Sequence, residues 1–88
     1  MRQNWLLDHL RGLPDDFTAE DDVYLVEGLL SGTPAAVIAD QLGCNLKAVA
    51  ARFRSMQTEE ILTVKGQLTL SGQQDLLAAV RYRAGRHE

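Results

Sequence analysis

Residues 33–56 read TPAAVIADQLGCNLKAVAARFRSM, and the fold of the chain turns on how this stretch is parsed. Thr33 can cap a helix whose first residue is Pro34, the position where a missing amide hydrogen costs nothing. Val37, Ile38 and Leu42 form the inward face of that helix, and Gly43 stops it. After Gly43-Cys44-Asn45, Asn45 caps a second helix. Its Leu46, Val49, Phe53 and Met56 recur at helical spacing as one buried stripe, leaving Lys47, Ala51 and Arg54 on an outward face. Two helices joined by a three-residue turn make a helix-turn-helix, in which the second helix enters the DNA major groove and the first braces it. Ala39 suits the close approach of the two helices, and Gly43 suits a left-handed turn.

Working back from this pair, Thr18 opens another helix. Its hydroxyl caps free amides, while Glu20, Asp21 and Asp22 place negative charge at the positive end of the dipole. Leu25, Val26, Leu29 and Leu30 supply the apolar stripe, and Ser31-Gly32 ends it. Three segments within residues 17–56, FTAEDDVYL, IADQLG and AVAARF, together resemble the Myb/SANT-like branch of the homeodomain-like three-helix DNA-binding domains. Bacterial and phage regulators with a single such repeat look similar. The resemblance implies that Phe17 and Phe53 stand where that family carries core tryptophans, and that Arg52 pairs with Glu20 or Asp21 on the first helix. Direct DNA contact is the other role open to Arg52. Ala35 replaces the family's third aromatic, and Ala48 stands where a polar residue often reaches DNA.

The flanks lie outside this likeness. Trp5, Leu6, Leu7 and Leu10 predict a short N-terminal helix, with Asn4 as its cap and Gly12 and Pro14 beyond its end. Trp5, Leu6 and Leu10 are either a patch for a partner or dimer, or a fourth helix completing the core. Residues 61–70 alternate as a small β-hairpin around a Lys65-Gly66 turn, with a helical reading of residues 59–64 in competition. The Lys65 tip is a candidate wing or a plain turn. Ser71 then caps a last helix over residues 71–83, with Leu76, Leu77 and Val80 apolar and Arg81, Arg83 and Arg86 near its end, followed by His87.

The chain has 88 residues, 45% hydrophobic and 24% charged, which suits one folded domain spanning 1–88, mainly α. No apolar run nears the roughly 18 to 20 residues that cross a bilayer, and no signal peptide or lipidation motif is legible, so the expectation is a cytoplasmic protein with no membrane partner. Cys44 is alone and His9 and His87 are far apart, so no metal is expected. Without a phosphate-binding loop, a nucleophile elbow or a metalloprotease motif, no catalytic residue and no cofactor is expected, and the chain reads as something other than an enzyme.

The net charge of −3 conceals an asymmetry. Residues 1–43 hold two bases against eight acids, whereas residues 44–88 hold seven bases against four acids, so a contact with phosphate must come from the second half. The expected function is a small transcription regulator that binds double-stranded DNA through Asn45, Lys47, Ala48, Ala51 and Arg54, with Lys65, Arg81 and Arg83 in support. The alternative is a SANT-type protein-interaction module that docks through the acidic helix or the terminal apolar helices. Either terminal helix, through Trp5-Leu6-Leu10 or Leu76-Leu77-Val80, is also a candidate surface for a homodimer or protein partner.

Overall fold

Thr18 starts the first helix of the central unit in both directions at once. Its hydroxyl accepts from the Asp21 amide at 3.0 Å, and the Asp21 carboxylate accepts from the Thr18 amide at 3.1 Å. This reciprocal box satisfies two backbone donors that helix geometry otherwise leaves orphaned. The computed structural model describes residues 3–86 and contains, among them, α1 (Gln3–Arg11), α2 (Ala19–Leu30), α3 (Ala35–Leu42), α4 (Leu46–Ser55), a single 3-10 turn (Glu59–Ile61) and α5 (Leu70–Arg83). The molecule is mainly α, as the apolar spacing predicts, and no helix is long and apolar enough to cross a membrane among the described residues.

α2, α3 and α4 form the three-helix unit, and α5 lies along α2 and carries α1 on its flank. One core joins all five helices: Leu10 from α1, Leu25 from α2, Ile38 from α3, Val49 from α4 and Leu76 from α5 are each fully buried. Leu6 and Val80 are equally enclosed. The terminal helices therefore spend their apolar faces within the chain, which decides between the readings left open for α1: it is the fourth core helix. The Leu6-Leu10 and Leu76-Val80 faces are not surfaces for a second copy. Trp5 sits at the edge of this packing, 38% exposed.

Several local expectations shift. Asn4 stands inside α1, one residue past its described start at Gln3, and not ahead of it. Thr33 does not cap α3: its amide closes the end of α2 on the Gly28 carbonyl at 2.8 Å, while Pro34 takes the cap position and the helix starts at Ala35. α5 is capped by Thr69 and not by Ser71: the Thr69 hydroxyl accepts from the Gly72 amide at 2.9 Å and the helix starts at Leu70. Val37 and Leu46, assigned to inward faces, are 46% and 54% exposed. In α3 the buried face centres on Ile38 and Ala39, about 150° around the helix from Val37. In α4, Leu46 occupies the first turn, beyond the reach of the core, and Phe53 is only partly buried. The hairpin is reduced to one antiparallel bridge, Leu62 to Leu68, with no strand among the described residues. A 3-10 turn, Glu59–Ile61, takes up the start of the segment, so neither a helix over residues 59–64 nor a two-stranded hairpin forms there.

A candidate nucleic-acid interface on α4

Each residue of the turn between α3 and α4 has one task. Gly43 takes φ 70° and ψ 30°, a left-handed conformation that costs a side-chain-bearing residue energy and glycine none. The Cys44 amide then reaches back to the Ala39 carbonyl at 2.9 Å, the 6→1 bond of a Schellman cap. Asn45 opens α4 by accepting the Ala48 amide on its Oδ1 at 2.7 Å. With that oxygen already accepting a backbone amide, the Asn45 amide nitrogen is the group left wholly free for other contacts. Cys44 is a partly buried free thiol in the turn.

α4 divides cleanly. Val49, Arg52 and Met56 are buried, whereas Lys47, Ala50, Ala51 and Arg54 are exposed on the opposite face. Lys47 and Arg54 are seven residues apart, roughly 10 Å along the axis. The two alanines between them leave the middle of the face low enough for close approach to another surface. Ala48 is partly buried and turns toward a groove shared with Phe17, Leu42 and Cys44.

Arg52 is committed to the fold. Its guanidinium donates Nε to Asp22 Oδ1 at 2.9 Å and Nη2 to Asp22 Oδ2 at 2.8 Å, and Nη1 to the Pro14 carbonyl at 2.9 Å. The Phe17 ring lies 5.2 Å below its Cζ, a cation–π distance. The acidic partner is thus Asp22, not Glu20 or Asp21. The helical phase explains the change: Asp22 shares the inward face with Leu25 and Val26, while Asp21 is occupied by the capping box. Asp22 is fully buried and also accepts from Arg83 Nη1, so one carboxylate ties α4 and α5 to α2.

The other C-terminal arginines follow the same course. Arg81 pairs with Glu27 at 3.0 Å, and Arg86 with Glu20 at 2.6 Å. Arg81 and Arg83, read from the sequence as support for a DNA contact, are folded back onto α2. His87 and Arg2 lie outside the described residues. Most of the basic half of the chain is therefore spent on the acidic half. Of the second half's cations among the described residues, Lys47, Arg54 and Lys65 are those without a carboxylate partner, and Lys47 and Arg54 lie on α4's outward face. No aspartate or glutamate occurs from Gln41 to Thr58.

Two residues stand out only in three dimensions. Asp22 is one of three consecutive acids at a helix start, and its role as a hub has no distinguishing mark beyond its phase with Leu25 and Val26. His9 Nε2 lies 2.7 Å from the Ser55 carbonyl and pins α1 to the end of α4, 46 residues away; nothing local signals it. No group of three His, Cys, Asp or Glu side chains able to hold a metal occurs among the described residues.

No protein-family model, curated protein or solved structure matches this chain. The resemblance to Myb/SANT-type domains is therefore an expectation from the sequence motifs alone.

Proposed function

We propose that this protein is a small DNA-binding transcription regulator whose α4 lies in the major groove of double-stranded DNA. The observation that carries the reading is the selective pairing of charge: Arg52 and Arg83 are neutralised by the buried Asp22 and Arg81 and Arg86 by Glu27 and Glu20 at the surface, while Lys47 and Arg54 remain unpaired and exposed on the helix that follows a three-residue turn. An α-helix about 10–12 Å across with its side chains suits a groove about 12 Å wide, and Lys47 and Arg54 stand about 10 Å apart along its axis. Ala50 and Ala51 let the helix descend between them, with α3 as the brace. Lys47 and Arg54 take phosphates or guanine edges, and a cytoplasmic location belongs with this reading.

The rival role as a protein-docking module has less behind it. On α2, Glu27 and Glu20 are paired with Arg81 and Arg86, although still solvated, and the apolar residues beside Trp5 are in the core. Titration of random-sequence duplex DNA at increasing salt tests the proposal. The affinity should fall with a log–log slope of roughly −2 to −3, the value for two or three phosphates neutralised. Absence of binding at low salt, or binding indifferent to salt, overturns it.

A further inference from the structure

Residues 61–69 form an arch whose foot is fixed and whose tip is preformed. Ile61 is buried in the core, and its carbonyl accepts the Thr69 amide at 3.0 Å. The first turn of α5 presses so closely on this foot that a Cβ on Gly72 would fall 2.6 Å from the Ile61 carbonyl oxygen, so a glycine is required there. At the other end the Thr63 amide donates to the Gln67 carbonyl at 2.7 Å, and the Gly66 amide to the Thr63 carbonyl at 2.9 Å. The Thr63 hydroxyl accepts from the Gln67 amide at 3.2 Å, and Gly66 closes the loop at φ 81°. This is a three-residue loop of Val64, Lys65 and Gly66, rigid by virtue of its own hydrogen bonds.

That loop holds an apolar side chain in water. Val64 is fully exposed at 105%, whereas Leu62 and Leu68 on the limbs are partly buried. Val64 adds nothing to the core, and Lys65 beside it has no ion-pair partner among the described residues. The tip also stands next to α4: Gly66 and Leu62 line the same shallow groove as Phe53 and Arg54. No acid occurs between Ile61 and Gln74, and the nearest ones, Glu59 and Glu60, are at the foot of the arch.

We infer that this tip is a second DNA-contacting element, entering the minor groove beside the α4 site with Val64 against the sugar walls and base steps and Lys65 on a flanking phosphate. The inference rests on the major-groove reading of α4. A minor groove about 6 Å wide excludes a helix but admits a narrow loop, and apolar side chains on such projections are a recurring means of engaging it. Arg54 lines the shared groove with Gly66, the neighbour of Lys65, so the two cations would hold phosphates of the strand between the two grooves.

The test compares Val64→Asp, Lys65→Ala and the double variant Lys47→Ala/Arg54→Ala on duplex DNA, with hydroxyl-radical footprinting for the minor groove and guanine N7 methylation for the major. Val64→Asp should melt at the wild-type temperature, bind at least about tenfold more weakly because a carboxylate meets the phosphate walls, and lose the sugar protection while guanine protection remains. Lys65→Ala should lower the salt slope by about one. If both tip variants bind and footprint as wild type while the α4 variant is impaired, the tip inference fails and the α4 reading stands. If the tip variants weaken binding and the α4 variant does not, α4 is not the recognition helix and the paired geometry is overturned. If the wild-type protein binds no duplex DNA, both fail, and the tip is left as a protein-contact loop.

Discussion

Asp22 and Arg52 pair in full burial, and such a pair matters most when it is broken. Two hydrogen bonds, the Pro14 carbonyl and the Phe17 ring satisfy the guanidinium, and Arg83 supplies a second cation to the carboxylate. Removing the carboxylate leaves two arginines facing a cavity without a counter-charge. We expect Asp22→Ala to cost about 3–5 kcal/mol, measured by chemical denaturation; a loss below about 1 kcal/mol would mean that water enters the site freely. Lys47→Ala and Arg54→Ala should behave in the opposite way. Both side chains point outward, so stability should stay within about 0.5 kcal/mol while DNA affinity falls. Equal DNA affinity in both would remove α4 from the interface. Phe53→Ala falls between these cases: the ring is partly buried against the core, and its truncation should cost about 2 kcal/mol, below the range for a fully enclosed phenylalanine.

Among the elements, α1 and α5 carry the part of the core that the three-helix likeness does not contain. Leu10 is enclosed and Trp5 lies at the rim, so Leu10→Ala should cost about 2–5 kcal/mol and Trp5→Ser much less, by thermal melting. Similar losses in the two would place Trp5 deeper than its exposure indicates. The ion pairs between α5 and α2 should also rank by burial. Arg81–Glu27 and Arg86–Glu20 are solvated, and Arg81→Ala or Arg86→Ala should each change stability by less than about 1 kcal/mol. Arg83→Ala removes a charged hydrogen bond to a buried carboxylate, for which about 1.5–3 kcal/mol is expected. The same ranking in a denaturation series checks all three. Element boundaries were legible where the cap is local: Thr18 and Asn45 bond amides three residues on, and Gly43 acts through its own φ. Thr69 caps just as locally, through the Gly72 amide, but Ser71 offers the same cap chemistry two residues on and only the Thr69 amide bond to the Ile61 carbonyl separates them; Thr33 escaped because its amide closes the end of α2.

For the whole molecule, burial of the terminal apolar faces bears on assembly. With Leu6, Leu10, Leu76 and Val80 enclosed, sedimentation at micromolar concentration should return a monomer. A dimer that dissociates on Trp5→Ser would restore the terminal helices as an interface. The charge asymmetry was visible in the chain, but its use was not. It reads as a dipole that offers the basic half to phosphate, whereas the fold brings Arg81, Arg83 and Arg86 across more than fifty residues to meet α2. What the sequence by itself determined is the helical class, the three-residue turn and most helix ends, because caps, turn conformations and apolar phase act within about one helical turn. Only the tertiary structure decided which charges are neutralised, that Asp22 is the partner of Arg52, that Val37 and Leu46 face water, and that the Val64 tip stands beside Arg54. These depend on which distant elements come within a few ångströms of each other, and ion pairing and burial are properties of that proximity rather than of residue type.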